Sequence, residues 1–183
     1  IMGNVWRLLL CRELVEQERL AFTPGVALME DLVFCIQALL KCSSVSINDG
    51  QFYHYIIHDN SATRRYRADM SVRLRQVYEM LVGILEKENV YPNVQRRMDN
   101  RYVNMHLNLI VNEVHEGNER SRKEKIKVIH DYCKDDKLKG ILKCIDSNGY
   151  TLRKRLVLKA LRKEHAIFLY IYYTLAANYL ARR

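Results

Sequence analysis

Two adjacent carboxylates, Glu30 and Asp31, open an apolar helical pattern and follow a turn signal at Pro24-Gly25. One interpretation is structural, because carboxylates in the first turn stabilise a helix dipole by about 0.3–1 kcal/mol. The other is chemical: a carboxylate within hydrogen-bond reach of a hydroxyl can accept its proton as that hydroxyl attacks a substrate. A rigid helix start backed by packed apolar side chains suits such a base. Spacing alone favours the structural role.

Clusters of basic side chains with interleaved aromatic residues form a second candidate. They comprise Arg64-Arg65-Tyr66-Arg67, Arg73 and Arg75, Lys123, Lys125 and Lys127, and Arg153-Lys154-Arg155. Three interpretations are open: a solvated helix face, attraction to anionic lipid or to a lipid-diphosphate acceptor, and nucleic-acid binding. We do not expect nucleic acid as a partner, because the sequence has no RNP, zinc-finger or helix-turn-helix signature.

The remaining chemistry-bearing residues predict no catalytic or metal site. The six histidines show no HExxH or paired-ligand spacing, so no zinc site is predicted, and His106 and His130 are interpreted as structural. No nucleophile-elbow pattern marks a Ser-His-Asp triad. The five cysteines form no CxxC pair, which predicts reduced thiols and a cytoplasmic protein.

Charge is unevenly distributed along the 183 residues. Residues 1–59 carry four basic and seven acidic groups, which gives −3, whereas residues 60–183 carry 26 basic and 14 acidic groups, which gives +12. The basic part is expected to attract phosphates on lipids or substrates. A hydrophobic content of 49% can supply a packed core, and only two prolines and seven glycines favour long helices over a turn-rich sandwich.

The chain around the carboxylate pair predicts mixed secondary structure. An amphipathic helix is predicted over residues 4–18 and a second from about 29 to 42. Alternating and β-branched residues predict short strands at 45–47 and 51–57. Two short strands do not form a stable sheet alone, so we expect them to be edge strands of a larger sheet whose other strands precede the first residue.

The rest of the chain predicts helices only. Apolar stripes at three- and four-residue steps predict helices near residues 66–89, 92–116, 121–133, 137–145 and 151–182, the last in one or two pieces. The aromatic-rich stretch 166–181 is interpreted as a buried central helix of the bundle, with a membrane-surface or dimer helix as the alternative. The sequence has no run of about 18 apolar residues, so no membrane span is predicted.

Five short motifs occur in order over residues 4–63 and together resemble the closing half of a bacterial family 2, inverting glycosyltransferase domain. That family has a Trp-containing, Leu-rich segment, a Phe-x-x-Gly turn, a Glu-Asp-x-x-Phe helix start, a Tyr-x-Tyr strand and a Ser-x-Thr triplet. The corresponding residues here are Trp6-Arg7-Leu8, Phe22-Thr23-Pro24-Gly25, Glu30-Asp31-Leu32-Val33-Phe34, Tyr53-His54-Tyr55 and Ser61-Ala62-Thr63. No single motif is specific, but five in this order and spacing are. Residues 64–183 fall outside the resemblance, although a variable helical tail is common in polysaccharide-building members.

The resemblance implies a GT-A fold and an inverting single displacement. In that reaction an acceptor hydroxyl loses its proton and attacks the anomeric carbon of a nucleotide-sugar, and the nucleoside diphosphate leaves with its charge neutralised by a divalent metal. By this implication Asp31 is the catalytic base and Glu30 an acceptor-contacting or structural partner. The predicted substrate-binding residues are His58, Ser61, Thr63 and Arg64.

The predicted fold class is mainly α with a small β component. Residues 1–63 would form the acceptor-side C-terminal portion of a GT-A catalytic domain, and residues 64–183 a basic helical bundle. No DxD motif occurs, because Asp135-Asp136 has the wrong spacing. We therefore expect the nucleotide-binding half to precede this chain, and the chain alone to be an inactive fragment. Mg²⁺ or Mn²⁺ is expected only in the full-length enzyme, with none bound by the fragment.

The predicted function is transfer of a sugar from a nucleotide-sugar donor to a glycan or lipid-linked acceptor in cell-surface polysaccharide synthesis. The enzyme would be cytoplasmic and peripheral to the inner face of the cell membrane, and an oligomer is compatible with this function. The alternative is a non-enzymatic helical interaction module that binds anionic surfaces through residues 64–183.

Overall fold

The computed structural model describes residues 3–48, 50, 52–54, 56, 65–146 and 149–181, and within them all regular secondary structure is helical. A one-turn 3₁₀-helix (Val5–Arg7) precedes eight α-helices: α1 (Arg12–Gln17), α2 (Glu30–Lys41), α3 (Met70–Lys87), α4 (Tyr91–Glu113), α5 (Arg122–Cys133), α6 (Asp136–Cys144), α7 (Leu152–Arg162) and α8 (Ala166–Ala181). The prediction of a mainly helical protein is confirmed for this part of the chain.

The first of two compact units comprises the described residues within 1–61 and 71–95. Its core comes from the apolar faces of α2 and α3, and the buried residues are Leu32, Val33, Phe34, Cys35, Ala38, Leu74, Val77, Tyr78, Leu81 and Leu85. Their three- and four-residue spacing is the reason that both segments are helical. Lys41 in the last turn of α2 donates to Glu88 Oε1 at 2.9 Å, which ties the end of this helix to the end of α3.

The predicted small β component is wrong for the described residues. No strand forms at 45–47, nor in the described residues of 51–57. Apolar side chains there lie open to solvent, with Ile47 85% and Phe52 79% exposed. Residue preference predicts which segments suit a pleated surface, but a strand exists only when its backbone pairs with a neighbour. No described segment supplies that neighbour, so strand-forming residue types alone produce no strand here.

The helix predicted over residues 4–18 is interrupted in the middle. The 3₁₀-helix Val5–Arg7 and helix α1 are separated by extended backbone at Leu8 and Cys11. The three leucines between them alternate, since Leu8 and Leu10 are half-buried and Leu9 is fully exposed. Extended backbone places alternate side chains on one side, so two of the three leucines leave solvent, which a helical turn would not achieve at this spacing.

The second compact unit comprises the described residues within 62–70 and 96–183. Helix α5 packs on α8, α7 packs on α8, and α6 packs on α7. The fully buried side chains at its centre belong to α4 through α8, and they include Ile110, Ile129, Cys133, Leu138, Leu142, Leu158, Leu161 and Leu169. The predicted division assigns residues 1–63 to a catalytic domain and residues 64–183 to a helical bundle. It stays a prediction.

Polar caps set the starts of three helices in this unit. Ser121 and Glu124 form a reciprocal capping box at α5. The Asp135 side chain accepts from the Leu138 amide at 2.7 Å to cap α6, and Thr151 caps α7. Such caps each contribute about 1 kcal/mol to helix stability. They account for the agreement between the predicted and observed starts of these helices.

The long stretch 151–182 is divided, as α7 ends at Arg162 and α8 begins at Ala166. Glu164 adopts a left-handed backbone with φ 54°, and the His165 amide donates to the Ala160 carbonyl at 2.9 Å. The interpretation of α8 as a buried central helix is wrong for residues 166–177, because their described side chains are covered on one side only. No helix in the described part of the chain has the length and apolar character required to cross a membrane.

All five cysteines are free thiols, and their burial predicts different reactivity. Cys11 and Cys144 are exposed, whereas Cys35 and Cys133 are completely buried. Burial raises the pKa of the Cys133 thiol to about 11, and the thiolate is the reacting form.

We expect iodoacetamide at mildly alkaline pH to modify Cys133 at least about 10²-fold more slowly than Cys11 and Cys144. Peptide mass spectrometry over a time course measures the three rates. Full denaturation is the positive control and should equalise them. Rapid modification of Cys133 in a chain that keeps its helical circular-dichroism signal would contradict the described core.

Candidate functional site

A tight turn leads the chain toward the carboxylate pair. The Val26 amide donates to the Thr23 carbonyl at 3.3 Å, and Gly25 has φ 80°. Pro24 followed by a left-handed Gly25 is typical of a type II turn, since proline fixes the second position and glycine accepts the positive φ of the third. The turn predicted at Pro24-Gly25 is confirmed.

Glu30 and Asp31 form the first turn of α2, where the sequence predicted a helix start. The preceding residue, Met29, adopts a left-handed backbone with φ 60° and ψ 24°, which costs a non-glycine residue roughly 1–2 kcal/mol. Its carbonyl accepts from the amides of Leu32 and Val33 at 3.1 and 3.3 Å. Both carboxylate residues are half-buried, and the two residues that follow are buried. Glu30 and Asp31 therefore belong to a helix start whose backbone conformation is held by these hydrogen bonds and buried side chains.

Two aromatic stacks join segments that are distant in sequence, and one of them includes a ring of α2. Phe22 stacks on Phe34 with ring centroids 4.6 Å apart and planes 13° apart. Trp6 stacks on Tyr53 at 4.5 Å and 20°, and the 3₁₀-helix that carries Trp6 packs against α2. We call these four rings the aromatic cluster. Each ring comes from a different one of four motifs that are separate in sequence.

The Cys35 thiol lies one helical turn after Asp31 in α2, so the two groups influence each other electrostatically. Burial is the larger reason that the pKa of Cys35 is raised, and the negative charge of Asp31 adds to it. The thiol therefore stays neutral beside the carboxylate. Among the residues that the structure describes, neither Glu30 nor Asp31 takes part in a salt bridge or side-chain hydrogen bond.

The other predicted site residues, His58, Ser61, Thr63 and Arg64, lie outside the described residues. Their assignment as substrate-binding residues stays a prediction. In the described ranges, no group of three or more His, Cys, Asp or Glu residues could hold a metal ion. The expectation of Mg²⁺ or Mn²⁺ in the full-length enzyme stays a prediction.

An ion pair between a buried carboxylate and a partly exposed guanidinium in the second unit was not predicted. Glu113, at the end of α4, is 1% exposed, and Arg120 Nη1 donates to its two oxygens at 3.2 and 3.0 Å. Asn118 Nδ2 donates to Glu113 Oε1 at 2.9 Å, and Arg120 also donates to the Tyr66 hydroxyl at 3.1 Å. The charge of Glu113 raises the pKa of Arg120 above its ordinary value. We call these four residues the Glu113 cluster.

One signal in the sequence could have indicated this cluster. A glutamate in the last turn of a helix meets the negative end of the helix dipole, which is unfavourable. Glu113 is the last residue of α4. Arg120 follows seven residues later, in the short glycine-containing loop that leads to α5. An acidic residue in such a position indicates a compensating cation.

Asp135, excluded above as part of a metal-binding motif, has a structural role. Besides capping α6, its carboxylate accepts from the Tyr102 hydroxyl at 3.1 Å. His106 is buried, its Nδ1 lies 3.0 Å from the Tyr102 carbonyl, and its Nε2 lies 3.9 Å from Asp135. These contacts support the interpretation of His106 as structural.

Comparison of this chain with models of protein families, with curated proteins and with solved structures found no match.

Proposed function

We propose that this chain is the acceptor-side end of the catalytic domain of a GT-A, inverting, nucleotide-sugar-dependent glycosyltransferase. The observation that carries the proposal is the aromatic cluster. Four motifs of the resemblance are spread over residues 6–53, yet their rings pair in two stacks: Phe22 with Phe34 of α2, and Tyr53 with Trp6, whose 3₁₀-helix packs against α2. Motifs with a shared catalytic purpose would have to converge in this way around the helix that carries Glu30 and Asp31.

The proposed chemical role of Asp31 is that of general base. Its carboxylate takes the proton from an acceptor hydroxyl as the hydroxyl oxygen forms a bond to the anomeric carbon. On the opposite side, the bond from that carbon to the phosphate oxygen breaks, and the nucleoside diphosphate leaves with the electron pair. Glu30, its neighbour in the same turn, contacts the acceptor or supports the base.

The strained backbone at Met29 supports a functional helix start. Left-handed residues other than glycine cluster at functional sites, where the surrounding structure holds a costly conformation for a purpose. Met29 immediately precedes the carboxylate pair, and no side chain caps the helix there. A helix start needed only for stability would more commonly have Ser, Thr, Asp or Asn at this position.

The complete enzyme would combine this chain with a nucleotide-binding portion. His58, Ser61, Thr63 and Arg64 are proposed contacts to the donor diphosphate and the acceptor. When bound in the complete enzyme, a divalent metal would neutralise the leaving diphosphate. The proposed acceptor is a glycan or lipid-linked sugar at the cytoplasmic face of the membrane.

The complete product of the gene that encodes this chain provides the test. Incubated with UDP-, GDP- and TDP-sugars, it should release nucleoside diphosphate from at least one of them, faster with added glycan acceptor than without. An enzyme-coupled assay for nucleoside diphosphate measures both rates. Absence of saturable binding to every nucleotide-sugar, measured by calorimetry on the same folded protein, would refute the proposal.

A further inference from the structure

Helix α8 presents an apolar stripe on its solvent side. The exposed fractions are 59% for Ile167, 42% for Phe168, 42% for Ile171 and 63% for Leu175. Residues three and four apart share a helix face, so these side chains form one continuous band, the α8 stripe. Residues 166–181 contain no charged side chain. A solvent-facing helix side is normally polar, and an apolar one indicates a binding surface.

The opposite side of the same helix is committed to the fold. Ala166 and Leu169 are buried, and α8 packs against α5 and α7. The stripe therefore belongs to a packed unit and does not result from a loose helix. Substitutions of the stripe residues leave the contacts of α8 with α5 and α7 in place. The stripe can therefore be tested by mutation.

Basic groups contact α8 and are exposed on the helix that packs against it. The Arg122 guanidinium lies 5.6 Å from the ring centroid of Tyr170, in the middle of α8. The exposed Lys163 lies three residues before Ala166, the first residue of α8, and exposed basic residues on α7, which packs against α8, include Arg153, Arg155 and Lys159. The compact unit that contains α8 has 23 Lys and Arg against 11 Asp and Glu, a net charge of +12.

We propose that the α8 stripe docks on an anionic lipid bilayer. The helix would lie in the plane of the membrane with its apolar side about 5–10 Å into the boundary between headgroups and acyl chains. The exposed arginines and lysines would contact lipid phosphates. Phe168 and Tyr172, stacked with centroids 6.0 Å apart, add the kind of aromatic ring that is enriched at membrane interfaces.

Charge and area favour a bilayer over a second copy of the chain. Two copies joined through the stripe would bring the same basic groups together, and like charges oppose association. Four half-exposed side chains also cover a few hundred Å², less than the ~800 Å² that each partner contributes to a standard interface. An anionic bilayer complements the positive charge of the unit, and its acyl chains can accept an apolar stripe that is too narrow for a stable dimer interface.

Vesicle flotation tests this proposal with the chain as it stands and requires no enzymatic substrate. The chain should float with phosphatidylcholine vesicles that contain phosphatidylglycerol, less with phosphatidylcholine alone, and less at high salt. The variant Ile171→Glu/Leu175→Glu should bind anionic vesicles at least about tenfold more weakly, because it removes apolar contacts and adds repelled charges.

The matched control is Val72→Glu/Val111→Glu. Both valines are exposed, at 69% and 45%, and neither is on α8. The control adds the same charge and should bind as the unchanged chain does, with circular dichroism verifying the fold of both variants. No anionic binding, equal binding to neutral vesicles, or equal losses in both variants would each overturn the proposal. So would a dimer in sedimentation velocity that Ile171→Glu/Leu175→Glu dissociates while vesicle binding is absent.

Discussion

Asp31→Asn in the complete gene product is expected to reduce the rate of sugar transfer by about 10²–10⁴-fold, the usual contribution of a general base. Asparagine has nearly the shape of aspartate but cannot accept the acceptor's proton. Binding of the nucleotide-sugar should change little, because the carboxylate faces the acceptor in the proposed reaction. Turnover measured as nucleoside diphosphate release, with donor affinity from calorimetry, separates the two quantities.

Glu30→Gln is the control for this experiment. It removes one negative charge from the same helical turn, and both variants should lose the same stabilisation of the helix dipole, about 0.3–1 kcal/mol. Their thermal stabilities should therefore be similar, while Asp31→Asn loses far more turnover than Glu30→Gln, which removes only an acceptor contact or a support of the base. Unchanged turnover in Asp31→Asn would remove Asp31 from the role of base. Equal losses of turnover in the two variants would contradict a proton-accepting role specific to Asp31.

Arg120→Ala is expected to reduce the free energy of unfolding by about 3 kcal/mol. Glu113 is 1% exposed, and without Arg120 its buried charge would retain the Asn118 amide as its remaining donor in the Glu113 cluster. Removal of one partner from a buried ion pair typically costs 3–5 kcal/mol. We expect the lower end, because the Arg120 side chain is itself 42% exposed and water partly solvates the site. Urea unfolding followed by circular dichroism gives the value.

A double variant distinguishes the cost of leaving the Glu113 charge buried from the cost of losing the packing of the Arg120 side chain. Glu113→Gln/Arg120→Ala keeps a polar side chain beside Asn118 but leaves no uncompensated charge, so it should be more stable than Arg120→Ala alone. Arg122→Ala is the matched arginine control, since Arg122 lies at the start of the neighbouring helix without a buried carboxylate partner among the contacts described. An Arg120→Ala variant within about 0.5 kcal/mol of the unchanged chain would contradict the buried ion pair.

Local signals explain which helices could be predicted. Ser121 with Glu124, Asp135 and Thr151 each cap a helix through contacts within three residues, so the sequence carries the whole signal. The turn at Pro24-Gly25 is similar, because it depends on the backbone preferences of two residues. Such features do not need a partner elsewhere in the chain.

Non-local contacts explain what could not be predicted. The segments 45–47 and 51–57 have strand-forming residues, but strand formation depends on a neighbour that residue types do not specify. The pairing of Glu113 with Arg120 depends on the path of the loop between them. Helix α8 was expected to be buried because apolar residues usually are, yet residue type does not disclose which side is covered.

The candidate site likewise combines features that local sequence signals predict with features that they do not. The helix start at Glu30 followed from the apolar period, and the grouping of motifs around it was implied only by the resemblance. The left-handed backbone at Met29 had no sequence signal, because methionine rarely adopts it. That conformation and the stacking of Trp6 on Tyr53 became visible only in three dimensions.

The anomeric configuration of the first-formed product shows whether the sugar is transferred by an inverting displacement. Proton NMR during the reaction of the complete gene product with its donor and acceptor resolves the coupling of the anomeric proton. A single displacement assisted by Asp31 predicts a new glycosidic bond whose configuration is opposite to that of the donor, and formation of that product about 10²–10⁴-fold more slowly by Asp31→Asn. A product that keeps the donor's configuration, or one formed at an unchanged rate by Asp31→Asn, would contradict the account.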